Sequence, residues 1–102
     1  MRKAKVLVNG AEAGILVELD NGSYRFTYNE SYNNAPVSLT MPTIKKNYEF
    51  EQFPCFFEGL LPEGIMLEGL LRKYKLDKKD LFGQLIQVGH DLVGAVSIEL
   101  IE

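Results

Sequence analysis

A single cysteine, a single histidine and no run of Lys or Arg longer than two residues: each of these scarcities removes a class of function. One cysteine closes no internal disulfide, and Cys55, between Pro54 and Phe56 in an apolar cluster, reads as a small hydrophobe packed in the core. One histidine and one distant cysteine cannot build a zinc site, so no metal is expected. Eleven Lys and Arg stand against fourteen Asp and Glu, for a net charge of −3, which argues against direct contact with nucleic acid. No apolar run reaches the roughly 18 residues that span a bilayer, and Met1-Arg2-Lys3 leads into strand-like sequence with no secretion-signal pattern. A cytoplasmic location without membrane contact is the expectation.

What is present suffices for one domain over residues 1–102, because 46% hydrophobic content at this length buries roughly two-thirds of the unfolded surface. Val6-Leu7-Val8 ends at Asn9-Gly10, a pair that tolerates positive φ, so a meander is expected over residues 4–28. A second strand, Gly14 to Leu19, closes at Asp20-Asn21-Gly22. A third, Tyr24 to Tyr28, alternates aromatics with Arg25 and Thr27, which implies a sheet with one wet face. Asn29 to Ala35 reads as a loop, Pro36 to Met41 as a short strand stopped by Pro42, and Lys45-Lys46-Asn47 as a turn.

After Tyr48 the period changes from two to 3.6. Pro54 suits the first turn of a short helix carrying Phe56, Phe57, Leu60 and Leu61, and Pro62 opens the next. In that helix Leu67, Leu70, Leu71 and Tyr74 recur at the spacing of a buried stripe. Asp77 is placed to cap a third helix through Leu81, Phe82, Leu85 and Ile86, with Asp80 in its first turn and Gly89 at its end. Val93 to Leu100 returns as a strand. The fold class is therefore α+β: a small, mostly antiparallel curved sheet or partial barrel, with about three helices in the C-terminal half.

Catalytic readings fail one by one. Gly59, Gly64 and Gly69 lack the Lys and Ser or Thr that a phosphate loop needs after its last glycine, and no cofactor is expected. Asp80-Leu81-Phe82-Gly83, superficially a kinase metal triplet with an insertion, falls inside an apolar-periodic helix. His90-Asp91 pairs a base with a carboxylate but has no nucleophile or third group, and a turn stabilised by Asp91 is the simpler reading. Glu58 and Glu63 read as solvated or capping carboxylates.

One feature points outward. At about 100° per residue Ile65 faces almost diametrically away from Leu67, Leu70, Leu71 and Tyr74, and Gly69, one turn later, leaves it unshielded. Pro62, Glu63, Gly64, Ile65, Met66 and Gly69 are accordingly the candidate partner-binding residues, and no residue is assigned a catalytic role.

Specific blocks carry a family resemblance: Val8-Asn9-Gly10 with Gly14, Phe26 with Tyr28, Ser38-Leu39-Thr40-Met41-Pro42, Phe56-Phe57-Glu58-Gly59-Leu60-Leu61-Pro62-Glu63-Gly64, and Gly89 through Ala95. In these the chain resembles the N-terminal subdomain of the HipA toxin-kinase family over nearly its whole length. In that family the subdomain precedes a serine/threonine kinase core, which holds the ATP and metal residues. A free-standing form is similar to the HipS-type small component of split, three-part HipBST toxin-antitoxin systems. The resemblance implies an antitoxin that docks on and inhibits a separate HipT-like serine/threonine kinase, in a ternary complex with a HipB-like DNA-binding protein. It also admits a scaffold that completes the kinase or bridges it to the DNA-binding protein without blocking catalysis. Around Gly89 the family pattern is Gly-Gly-Asp-Cys-Ala-Gly, from which His90, Leu92 and Val93 depart.

Overall fold

The computed structural model describes residues 1–92 and 94–101. Five antiparallel strands form one open sheet in the order β4-β3-β2-β1-β5, and three helices fall in the C-terminal half. This is the expected α+β architecture.

β1 (Lys3–Val8) buries Ala4, Val6 and Val8 and turns Lys3 and Lys5 to the other face, the period-two consequence of its alternating sequence. Asn9 and Gly10 both take positive φ, 52° and 82°, which makes the tight hairpin into β2 (Ala11–Glu18). The register shifts between Val6 and Leu7, so β2 carries one extra residue there and buries Ala13 and Gly14 in succession. Gly14 is required by close approach: a Cβ there would lie 2.2 Å from the Thr27 carbonyl oxygen of the neighbouring strand. β3 (Tyr24–Tyr28) sends Phe26 and Tyr28 into the core.

The next segment reverses two expectations. Residues 36–41 form turns with no strand, because the Tyr28 hydroxyl takes the role that a neighbouring strand would have. It accepts from the Val37 N–H at 2.9 Å and donates to the Met41 carbonyl at 2.5 Å, so that Val37 and Met41 are buried without a ladder. The strand lies instead at β4 (Asn47–Phe50), where a turn and the onset of helical periodicity are expected from the sequence. β4 pairs with β3 from Thr27↔Asn47 to Tyr24↔Phe50 and forms one edge of the sheet.

α1 (Cys55–Glu58) follows Pro54 and buries Phe57. Cys55 is exposed, contrary to the core thiol expected, because Phe53, Pro54 and Phe57 take the interior positions around it. α2 (Gly64–Tyr74) begins after Glu63, so Pro62 lies before the helix. α3 (Leu81–Val88) buries Phe82, Gly83, Gln84 and Leu85, and its cap is Asp80, whose side chain accepts from the Gly83 N–H. Asp77 instead accepts from the Lys79 N–H, in the preceding turn. β5 (Val96–Ile101) pairs with β1, and the Ile98 N–H donates to the Gly89 carbonyl at the end of α3. The expected strand start at Val93 lies outside the described residues.

The core is one cluster between the helices and one sheet face, centred on Val6, Leu16, Phe26, Phe57, Phe82 and Leu85. Phe26 meets Tyr28 edge-on with ring centroids 4.8 Å apart, geometry that favours aromatic pairs beyond the area they bury.

A candidate partner-docking surface on the second helix

The link from α1 to α2 is short and internally bonded. Leu60 N–H donates to the Phe57 carbonyl and Leu61 N–H to the Glu58 carbonyl, both at 3.1 Å, which carries the chain into the half-buried Pro62. Gly64 then opens α2 at φ 59°, a backbone region that glycine enters without the steric cost a Cβ imposes. Glu63 occupies the capping position, yet its side chain makes no capping hydrogen bond. The α2 start is therefore a tip whose first-turn donors face solvent.

α2 is unusual in what it leaves uncovered. Its eleven residues include Ile65, Met66, Leu67, Leu70, Leu71 and Tyr74, and none of them is buried. Ile65 is 86% and Met66 76% exposed, as the helical phase of Ile65 requires. Leu67, Leu70 and Leu71 are half-buried against the domain, and Tyr74, expected inside, is 40% exposed. On a helical wheel an apolar arc of about 140° runs from Leu71 through Leu67, Tyr74 and Leu70 to Met66 at about 100° per residue, and Lys73 separates it from Gly69 and Ile65. The body of the domain covers only part of this apolar surface.

Part of the remainder forms one wall of an open groove of about 560 Å³. Met66, Gly69, Leu70 and Tyr74 line it from α2, Val88 and Leu92 from the end of α3 and beyond, and Leu60 and Pro62 from the preceding link. Lys73, Gln87 and Asp91 are its polar lining residues.

Pro62, Met66 and Gly69 of the sequence-derived set thus line the groove together. Glu63, Gly64 and Ile65 lie at the adjoining helix tip, outside its lining. Leu70 and Tyr74 are absent from that set because, with Leu67 and Leu71, they recur at the spacing of a buried stripe. Val88 and Leu92 carry no local signal, since only the packing of α3 beside α2 brings them there.

The other singled-out residues form no reactive assembly. Among the described residues no group of three His, Cys, Asp or Glu side chains could hold a metal ion. His90 and Asp91 are both exposed, and the turn between them is made by Asp91 N–H donating to the Val88 carbonyl at 2.8 Å. The turn from Gly89 to Gly94 includes Val93, so its full conformation lies outside the described residues. No helix among the described residues is long and apolar enough to cross a membrane.

Residues 4–99 match the family profile described as HipA N-terminal domain. An uncharacterized protein of Haemophilus influenzae is 30% identical over 99 residues, a match covering 97% of this chain and 92% of that protein. A solved structure of the N-terminal domain of HipA toxin superimposes with a TM-score of 0.79 at 29% identity, over 100% of this chain and 94% of the other. With the profile spanning nearly its whole length, the chain belongs to the HipA N-terminal domain family.

Proposed function

We propose that this protein is an antitoxin that binds a separately encoded, HipA-like serine/threonine kinase and inhibits it, contributing no chemistry of its own. The observation that carries this reading is α2, which holds six large apolar side chains in eleven residues and buries none of them. An exposed apolar surface of that kind marks an interaction site. Family membership supports the choice of partner, because the profile that this chain matches is that of the HipA N-terminal domain. The Haemophilus influenzae relative, 92% of whose length is matched, supports the domain's existence as a separate polypeptide. A HipB-like DNA-binding protein completes a ternary complex in this reading.

The tip formed by Pro62, Glu63, Gly64, Ile65 and Met66 enters or abuts the kinase's active-site cleft, with Gly69 allowing close approach behind it. Ile65 and Met66 are the anchors. Burying one such aliphatic side chain contributes about 1.5–3 kcal/mol, or about one to two decades of affinity. The test is Ile65→Asp: the variant should unfold at the wild-type temperature, since Ile65 is 86% exposed, and should lose inhibition of phosphorylation in vitro. Undiminished inhibition by Ile65→Asp at wild-type concentrations overturns the assignment of the tip. In the same assay, binding that leaves turnover unchanged identifies a scaffold.

A further inference from the structure

The chain has three methionines, and the fold places them in different surroundings. Met41 is 2% exposed, fixed in the core with its carbonyl accepting from the Tyr28 hydroxyl. Met1 is 70% exposed, beside Asp20 and outside the lining of the groove. Met66 is 76% exposed in the first turn of α2, and it lines the groove between α2 and the end of α3. One thioether of the three therefore stands open to solvent on the surface assigned to docking.

A thioether is an apolar group that a mild oxidant makes polar. The Met66 Sδ lone pair attacks one oxygen of a hydroperoxide, and the S–O bond forms as the O–O bond breaks. Sulfur loses two electrons and the peroxide gains them. The departing oxygen takes up the proton released from the transferred one and leaves as water or an alcohol. Reaction requires the reagent to reach the sulfur, which the structure permits at Met66 and Met1 and prevents at Met41.

We propose that Met66 is a redox-sensitive element of the docking surface: its oxidation by a hydroperoxide to the sulfoxide disables docking on the kinase while leaving the domain folded. The inference rests on the docking proposed above and adds the regulation of that surface. In the free protein the sulfoxide oxygen stays in water, so the folded state is not penalised. In the docked state the same oxygen loses its water among apolar groups, which is costly without a hydrogen bond in exchange. That difference between the two states displaces the equilibrium towards the free protein. Docking also shields Sδ, so oxidation acts on free molecules and removes them from the pool able to bind, until a sulfoxide reductase restores the thioether. Ile65, the other anchor, has no such chemistry, and the sensitivity is confined to one side chain.

The test uses Cys55→Ser protein, because the Cys55 thiol is exposed as well and reacts with the same reagent. After treatment with hydrogen peroxide, peptide mass spectrometry should find the sulfoxide at Met66 and Met1 before Met41. Calorimetry with the purified HipA-like kinase should then show binding weakened at least about tenfold, the lower end of what burying one aliphatic side chain contributes. Thermal unfolding should be unchanged, and methionine sulfoxide reductases should restore the affinity. Met66→Leu, compared with itself before and after peroxide, should shift less than about twofold, since only Met1 remains open to oxidation. Met66→Gln sets a polar group at the same position without any oxidant and should bind about tenfold more weakly than Met66→Leu. Undiminished binding by protein oxidised at Met66, or an equal loss in Met66→Leu, overturns the switch. If Ile65→Asp abolishes binding in that case, docking through the tip survives; if Ile65→Asp also binds like wild type, the docking reading falls with it.

Discussion

Arg2 ties the start of the chain to a helix 78 positions away. Its Nε and Nη2 donate to Glu18 Oε1 and Oε2, both at 2.8 Å, while Nη1 and Nη2 reach Asp80 at 3.1 and 2.7 Å. The guanidinium also lies 5.1 Å from the centre of the Phe82 ring. The Arg2 hydrogen bonds, and then the Gly83 N–H, hold the Asp80 carboxyl below the usual carboxylate range, against the opposing effect of burial. Since the folded value is depressed below the unfolded value of about 3.9, this contribution is present at neutral pH and is lost as pH falls through the folded value. Asp80→Asn keeps a capping side chain but never ionises. It should be less stable than wild type at pH 7 by about 0.5–1 kcal/mol, a partly exposed ion pair's worth, with the difference smaller at pH 3, below the unfolded carboxyl value. Asp80→Ala should lose about 0.5–2 kcal/mol more at both pH values, through the missing cap. Urea unfolding at the two pH values measures both, and a pH-independent gap for Asp80→Asn removes the ion pair from the account. Sequence placed the cap at Asp77 because both aspartates precede the same apolar period, and the partner that distinguishes them, Arg2, is too distant along the chain for any local pattern to show.

At the scale of elements, legibility follows from where the specifying information sits. β1, β2 and β3 are readable because alternation and turn residues such as Asn9-Gly10 are local. β4 is not: Asn-Tyr-Glu-Phe is short and half polar, and its state is decided by pairing with β3, reinforced by Thr27 Oγ1 and Asn47 Oδ1 at 2.8 Å. Residues 36–41 fail for the converse reason, since a tyrosine hydroxyl satisfies what looks like strand backbone. α2 was legible as a helix and in the outward phase of Ile65, but its groove face was not, because Leu70 and Tyr74 belong to one continuous apolar arc that only α3 divides. Gly69 sits on the outer face of α2, beyond Lys73, and a Cβ there would meet nothing within 4 Å. Gly69→Ala should therefore stabilise the protein by up to about 1 kcal/mol through helix propensity. The same methyl group intrudes on the proposed contact surface, so kinase inhibition should weaken as thermal stability rises. A variant that gains stability with inhibition intact shows that the contact does not pass over Gly69.

For the molecule as a whole, stability and exposure are distributed in opposite senses. β1 is flanked by β2 and β5 and buries Ala4 and Val6 completely, and α3 contributes Phe82 and Leu85 to the same core. α2 is anchored only by the half-buried Leu67, Leu70 and Leu71. Local opening spans free energies from about zero up to that of global unfolding, and elements with little buried apolar surface occupy the low end. Amides of Val6, Leu16 and Leu85 should therefore exchange with solvent deuterium only through global unfolding, while those from Leu70 to Lys73 exchange faster by local opening. If the proposed docking holds, adding the kinase should slow exchange across α2, whose apolar side chains the domain itself leaves unburied, and leave β1 unchanged. If α2 in the free protein exchanges as slowly as β1, it needs no such cover, and the argument from its unburied face to a docked partner fails.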